Sequence, residues 1–322
     1  MRYDLCGLSL DSDEPFPELV QSISSESNTI LRLRREGRIT TAGETLRPAA
    51  KWTLSNGRPF LLSAKTRNGY LLQFIDLVDF FVDQTGTDVV FSPRPEVPAD
   101  SVRHLFLDSV VPLALSLRNH GVLHASAIAT PFGACAFAAE TGTGKSTLSA
   151  SFQTAGYPSI TDDCLLLAKE GSDFYARASY PGVRLLRDSL SLISAQHDAT
   201  LSVAHYNSKR RLGAGLFATG RHRLSAIYCL ERPRSDVARL REPLIEALSA
   251  HERLLAALRY LFCLDPYDPT LLVRQFRLLE ILVSEVAIVR LTIPNDFSAL
   301  PRVHEAVLSD LKSRVYSVGA RN

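Results

Sequence analysis

The chain has 322 residues, 46% of them hydrophobic, which is enough to bury a substantial core and favours two lobes. Its 36 basic and 34 acidic residues leave a formal net charge of +2, so no overall field favours nucleic acid or an anionic membrane as a partner. No apolar run approaches the roughly 20 residues that span a bilayer, so we expect no membrane insertion, and any bound anion must be held locally.

The first 90 or so residues carry the signals of strands and tight hairpins. Short strand-like runs at residues 29–34 and 58–64 lie around the dipeptides Asn56-Gly57 and Asn68-Gly69. These dipeptides favour the positive backbone angles of tight turns. We therefore predict a mostly antiparallel sheet in this part of the chain.

A proline-rich segment separates this part from the rest. Residues 92–100 contain three prolines and end in polar residues, which is the best domain boundary in the chain. We predict an N-terminal β-rich lobe over residues 1–98 and a second domain over residues 99–322. The second domain opens with a predicted helix over residues 101–119, where Val, Leu and Phe recur at helical spacing.

The second domain continues as a strand, a loop and a helix. An apolar strand at 134–139 leads into a glycine-bearing loop, and a helix is predicted from Lys145 to Gly156. Further strands are predicted at 164–168, 174–178, 226–231 and 287–293. Helices that serve packing are predicted at 242–261, 270–283 and 298–311.

The segment AETGTGKST, from Ala139 to Thr147, matches the Walker A pattern of phosphate-binding loops at Gly144, Lys145 and Ser146. Backbone N–H groups of such a loop converge on an anion, the following helix adds its positive end, and the lysine adds a mobile charge. A nucleoside triphosphate is therefore the predicted ligand, and the serine is a predicted Mg²⁺ ligand. The residues expected to contact the nucleotide are Thr141, Gly142, Thr143, Gly144, Lys145, Ser146 and Thr147. The alternative is a glycine-containing turn before a surface helix.

Two carboxylates, Asp162 and Asp163, follow the loop lysine closely, and Asp163 lies 18 residues beyond Lys145. A close acidic pair can divide two tasks, so that one carboxylate holds Mg²⁺ and the other accepts the proton of an attacking hydroxyl. The alternative is a turn or a helix cap, the commoner role of an isolated Asp-Asp pair. Two histidines, His120 and His124, precede the strand that leads into the loop. Either could take part in the site, and the alternative is a hydrogen-bonded histidine of the core.

These residues resemble the HPr kinase/phosphorylase family and its HPr-kinase-like relatives, some of which act on peptide natural products. The family places a histidine 21 residues before its loop lysine and an aspartate 18 residues after it, and His124 and Asp163 stand at those offsets from Lys145. Ser146 matches the family's Mg²⁺ ligand, and Asp162 precedes Asp163 as in the family's paired aspartates.

The resemblance implies an α/β fold with a P-loop kinase core similar to HPr kinase and phosphoenolpyruvate carboxykinase, here over residues 99–322. It implies that Asp163 takes the proton of the acceptor hydroxyl while Lys145 and His124 stabilise the transferred phosphoryl group. This sequence departs from the family in two places. Ala139 replaces the first loop glycine, and the later glutamate and glycine-rich stretch that supports the phosphorylase reaction has no counterpart here.

Phosphoryl transfer calls for cations beyond the loop lysine, because charge develops on several oxygens. The candidates are Arg184, Arg187, Lys209, Arg210 and Arg211. We favour Arg184 and Arg211 as further nucleotide contacts. The alternative for 209–211 is a solvated loop.

We therefore predict an ATP- and Mg²⁺-dependent kinase that phosphorylates a Ser or Thr hydroxyl of a protein or peptide. By analogy with the relatives, the leading acceptor is a ribosomally made precursor peptide of the lasso class. A small-molecule kinase and a nucleotide-binding switch without phosphotransfer remain alternatives. The resemblance also implies that the chain can form a homo-oligomer. The five cysteines are scattered, show no metal-binding spacing and follow no secretory segment, so we expect a cytoplasmic protein.

Overall fold

The computed structural model describes residues 1–22, 30–41, 43–54, 56–185, 200–206, 210–212, 215–233 and 240–319. The protein has a mixed α/β fold with large sheets. Its chain forms two compact units: Met1–Val122 with Ser202–Ser208 and Phe262–Phe276, and Leu123–Leu201 with Lys209–Leu261 and Arg277–Asn322. The division into residues 1–98 and 99–322 stays a prediction.

The first unit contains a nine-stranded sheet. Its strands are β1 (Arg2–Leu5), β2 (Leu8–Ser12), β3 (Val20–Gln21), β4 (Ile30–Arg35), β5 (Arg47–Thr53), β6 (Pro59–Lys65), β7 (Gly69–Phe74), β8 (Val78–Asp83) and β9 (Asp88–Pro93). They lie in the order β3-β1-β2-β4-β9-β8-β7-β6-β5. Most neighbours are antiparallel, as predicted, whereas β4 runs parallel to both β2 and β9.

The two predicted hairpin glycines serve different purposes. Gly57, between β5 and β6, has a φ of 79°, the left-handed conformation that glycine adopts without strain. Gly69 begins β7 and has no positive φ; a Cβ there would collide with the carbonyl oxygen of Val82 on β8. The first glycine is required by backbone conformation and the second by close approach of a strand.

The predicted helix over residues 101–119 is divided into three parts. It consists of α1 (Ala99–Leu105), a π-helical segment (Phe106–Val110) and α2 (Val111–Leu117). Pro112 stands in the first turn of α2 and has no N–H to donate to the preceding turn, which accounts for the shifted hydrogen bonds there.

The second unit is built on a mixed sheet. Its strands are β10 (Gly121–Thr130), β11 (Gly133–Ala138), β12 (Ser159–Thr161), β13 (Cys164–Glu170), β14 (Asp173–Arg177), β18 (Arg221–Glu231), β19 (Leu244–Ala247) and β20 (Ala287–Thr292). The order is β11-β10-β13-β14-β18-β20-β19, with β12 on β10. In addition β11 pairs parallel with β18, which runs parallel to β20. Three short strands are β15 (Val183–Leu185), β16 (Thr200–Ser202) and β17 (Arg210–Leu212).

The remaining helices are α3 (Lys145–Thr154), α4 (Ala250–Tyr260), α5 (Pro269–Glu285), a 3-10 turn (Phe297–Ala299) and α6 (Leu300–Gly319). The prediction of one helix over residues 242–261 was wrong in its first part, because β19 pairs antiparallel with β20 there. Helix α4 begins only at a capping box, in which Ser249 and Glu252 each bond the other's backbone N–H.

Two apolar clusters cover opposite faces of the strand that carries the predicted loop. On β11, Ala134, Ala136 and Ala138 lie in a cluster with residues of α4 and α5, whereas Cys135 and Phe137 lie in a cluster with residues of α3 and α6. This alternation is the period of a strand that is buried on both faces. Phe137 stacks on Phe152 of α3 with ring centroids 5.5 Å apart, which anchors the helix beneath the loop.

Within the described part of the chain, no helix is long and apolar enough to cross a membrane. The five cysteines are free thiols, and four of them are buried.

Candidate functional site

The phosphate-type loop lies between β11 and α3. Gly142 and Gly144 have φ values of 88° and 109°, a region that only glycine enters readily. At Gly144 a Cβ would also lie 2.8 Å from the guanidinium of Arg232. Ala139 is fully buried and has no positive φ, so alanine at the first position of the Walker A pattern introduces no backbone strain.

Lys145 is the first residue of α3, and its side chain is turned toward a carboxylate. The side chain is only 8% exposed, and its Nζ donates to Oδ1 of Asp163 at 2.7 Å. Nε2 of His124 lies 3.0 Å from the same Nζ, and Nδ1 of His124 lies 3.2 Å from Oδ1 of Asp163. The structure thus brings together the histidine, lysine and aspartate that the sequence spacing singled out.

A fourth group, Arg184 on β15, completes this cluster. Its Nη2 lies 3.1 Å from Oδ2 of Asp163, and its side chain is almost entirely buried. Burial alone would raise the pKa of the Asp163 carboxyl. The charges of Lys145, Arg184 and His124 outweigh that effect and hold the pKa well below its usual value. Asp163 is therefore ionised at neutral pH.

Backbone hydrogen bonds fix the position of the aspartate pair. Asp162 and Asp163 form the turn between β12 and β13, and the carbonyl of Asp163 accepts from the N–H of Ala125 on β10 at 3.1 Å. His124 precedes Ala125, so the same bond brings its ring to the carboxylate. Thr161 closes the turn by donating its hydroxyl to the carbonyl of Cys164 at 2.9 Å.

Asp162 is buried, and only one of its two carboxylate oxygens accepts a hydrogen bond from the described residues. Its Oδ2 accepts from the backbone N–H of Arg184 at 3.0 Å and lies 3.4 Å from Nε of that residue. Its Oδ1 is buried and has no hydrogen-bond partner among the described residues. An orphaned carboxylate oxygen beside a phosphate-type loop fits a divalent cation.

The chemistry of the donors narrows the choice of cation. In the described part of the chain, no group of three or more His, Cys, Asp or Glu side chains is placed to hold a metal ion. Mg²⁺ is bound by one or two carboxylates together with phosphate oxygens and water rather than by a full protein cage. Asp162 and the hydroxyl of Ser146, in the first turn of α3, are the residues that would hold it.

Arg211, the second predicted arginine, lies on β17. It stands opposite Arg184 in the antiparallel pair of β15 and β17, and its guanidinium lies 5.7 Å from the ring centroid of Tyr180. Of the other predicted loop residues, Thr141 and Thr143 lie between β11 and α3, and Thr147 lies in the first turn of α3. Arg187 and Lys209 fall outside the described residues.

Sequence reasoning missed Arg232, which follows β18 and supports the loop. Its Nε donates to the carbonyl of Thr143 at 3.0 Å and its Nη1 to the carbonyl of Pro294 at 2.8 Å. Burial lowers the pKa of its guanidinium. The available signal was its position directly after an apolar strand, since parallel strands end at a common edge. Arg259 of α4 likewise pairs with Glu140 in the loop, at an exposed site.

The sequence matches no protein-family model and no curated protein. A structural similarity was found to the Hpr(Ser) kinase/phosphatase from Coxiella burnetii. The two are 12% identical, the overlap covers 58% of this chain and 97% of that one, and the TM-score is 0.32. This similarity is too weak to establish a shared fold, so the function of this chain has to be argued from its own site.

Proposed function

We propose that this protein is an ATP-dependent kinase whose phosphoryl-transfer site is the cluster of Lys145, Asp163, His124 and Arg184. The observation that carries the proposal is the 2.7 Å contact between the amino group of the loop lysine and a carboxylate that two further basic side chains surround. A glycine loop at the start of a helix supplies anion-binding N–H groups beside it.

The same groups account for transfer to a hydroxyl. The acceptor oxygen attacks the γ-phosphorus, the bond to the oxygen bridging the β- and γ-phosphates breaks, and ADP leaves. Asp163 accepts the hydroxyl proton. Without nucleotide, Lys145 forms an ion pair with this carboxylate and lowers its pKa. Once Lys145 turns toward phosphate oxygens, the ion pair weakens and the pKa of Asp163 rises toward the usual value of an aspartate, which makes it a better proton acceptor.

Each remaining residue of the cluster has a specific task. His124 and Lys145 stabilise the charge that develops on the transferred group. Arg184 positions both aspartates through its backbone N–H and its guanidinium. Ser146 and Asp162 would hold Mg²⁺, which neutralises charge on the phosphate oxygens.

For the acceptor we propose a Ser or Thr hydroxyl of a protein or peptide, with a ribosomally made precursor peptide as the leading candidate. This finer proposal rests on the spacing of His124, Lys145 and Asp163, which is that of the HPr-kinase-like proteins.

The test follows a radiolabelled γ-phosphate from ATP into three mixtures: Ser- and Thr-containing peptides, hydroxyl-bearing metabolites, and water alone. We expect labelled peptide with the wild type and a rate about 10²- to 10⁴-fold lower with Asp163→Asn, because a positioned base is lost. Asp173→Asn is the matched control, since among the described residues Asp173 forms an ion pair only with exposed Arg223 in the same unit; its rate should stay that of the wild type.

Each other outcome contradicts a named part of the proposal. Label in metabolites alone would show that the acceptor is not a peptide. ATP that binds but keeps its label in every mixture would rule out phosphotransfer and favour a nucleotide-binding switch. An unchanged rate in Asp163→Asn would remove this residue as the base.

A further inference from the structure

A second feature of the phosphate loop lies on the side away from Asp163. Strand β11, which leads into the loop, has β10 on one side and β18 on the other. Asp163 is bonded through its backbone to β10, whereas Arg232 follows β18 and residues 293–296 follow the parallel strand β20. The carboxyl ends of β11, β18 and β20 therefore meet at one edge, the usual place for a ligand in such sheets.

A cavity of about 280 Å³ opens at this edge. Gly144 and Thr147 of the phosphate loop and its helix form one wall. The opposite wall comes from the segment after β20, including Asn295 and Phe297. A ligand seated in the loop would thus extend directly into the cavity.

The lining is suited to an uncharged, flat group rather than to more phosphate. Ile293 and Val303 supply buried apolar surface, and Phe297 lines the cavity with 42% of its surface exposed. Arg232 is the one cationic side chain among the described lining residues, and its guanidinium already donates to the carbonyls of Thr143 and Pro294. Ligand sites of this kind combine apolar walls with a few polar groups that fix orientation.

Asn295 supplies such a polar group. It is exposed at the rim, and its side-chain amide makes no hydrogen bond within the described structure. An asparagine side chain offers an NH₂ donor group and a carbonyl acceptor side by side, which match the N7 acceptor and the N6 amino donor of adenine. Phe297 offers a ring on which a base can stack.

We infer that this cavity binds the adenosine end of ATP, with the base on Phe297 and its edge at Asn295. The inference rests on the proposed function and adds to it the orientation of the bound nucleotide. The triphosphate runs from the cavity across Gly144 to Lys145, so that the γ-phosphate arrives beside Asp163.

The test compares the binding of ATP with that of inorganic tripolyphosphate by titration calorimetry. Phe297→Ala should weaken ATP binding roughly 10- to 100-fold and leave tripolyphosphate binding unchanged, because a stacking surface is lost and the phosphate site is kept. Phe276→Ala is the matched control; Phe276, on α5, is also 42% exposed and lies outside the cavity. It should bind both ligands as the wild type does.

A second measurement does not depend on a variant. Cross-linking of wild-type protein with 8-azido-ATP, followed by peptide mapping, should label the segment around Asn295 and Phe297. A label on peptides around His124 or Arg184 would overturn the inference.

The outcomes separate this inference from the proposed function. If the wild type binds neither ligand, the kinase proposal itself is wrong. If the wild type binds both and Phe297→Ala binds ATP equally well, only the adenosine site is wrong. Equal weakening of both ligands by Phe297→Ala also contradicts the inference, since the change would then act on the phosphate site.

Discussion

Each unit of the protein contains a cluster of buried carboxylates and basic side chains, and the two clusters differ in how completely they are satisfied. In the first unit, Asp265 accepts from Tyr70 at 3.0 Å and pairs with Arg47, and Asp268 pairs with Lys65. The other oxygen of Asp265 accepts the backbone N–H of Tyr267, and the other oxygen of Asp268 accepts two N–H groups at the start of α5. Every carboxylate oxygen there has a partner.

The cluster in the second unit is incomplete by the same measure. Oδ1 of Asp162 is buried without a partner among the described residues, and the cations around Asp163 border a glycine loop. A fully paired cluster fixes a structure, whereas an unpaired buried oxygen next to an anion-binding loop indicates room for a charged ligand. We therefore propose a structural role for the Asp265 cluster and a ligand-binding role for the Asp163 cluster.

The largest effect that separates the two assignments is on stability. Asp265→Asn should lower the free energy of unfolding by about 2 kcal/mol, because it weakens charged hydrogen bonds to a fully buried carboxylate while Arg47 stays partly hydrated. Urea unfolding measures this loss. The folded fraction should bind ATP as the wild type does, and a variant that is folded but has lost ATP binding would contradict the structural assignment.

A smaller effect is expected in the pH dependence of stability. The pKa of Asp163 is depressed in the folded protein, so its carboxylate stabilises the fold above the unfolded value of about 3.9 and loses that contribution as the pH falls below it. The difference in unfolding free energy between wild type and Asp163→Asn should therefore be larger at pH 7 than at acidic pH, because protonation of Asp163 removes the stabilising charge from the wild type.

Asp268 supplies the control for this pH effect. Burial would raise the pKa of Asp268, but Lys65 and the N–H groups of α5 lower it, so Asp268→Asn should show a pH dependence of the same sign. Saturating ATP should reduce the pH-dependent stability difference between wild type and Asp163→Asn, since Lys145 is then shared with phosphate. It should leave the corresponding difference for Asp268→Asn unchanged. An equal response to ATP at both positions would remove the distinction between the clusters.

The sequence predicted well those features that depend on local pattern. The apolar run before Ala139, the glycines of the loop and the helix from Lys145 all obey local rules of strand, turn and helix. The spacing of His124, Lys145 and Asp163 predicted a cluster that the structure assembles.

Features that depend on pairing between distant segments were missed. Leu244–Ala247 forms a strand because β20 offers an edge to pair with, and no local pattern contains that information. Arg232 supports the loop only because β18 lies beside β11 in the sheet. The parallel pairs of β4 in the first unit were unpredicted for the same reason.

The most direct test of the account is the thermal shift produced by ATP with Mg²⁺ in three proteins: wild type, Asp265→Asn and Lys145→Met. At a ligand concentration of about 100 times the dissociation constant, binding should stabilise the wild type by roughly 2.7 kcal/mol. Asp265→Asn should start from a lower melting temperature and rise by a comparable amount, whereas Lys145→Met should not respond. An equal response in Lys145→Met, or none in the wild type, would contradict the assignment of the Lys145 and Asp163 cluster as the phosphate site.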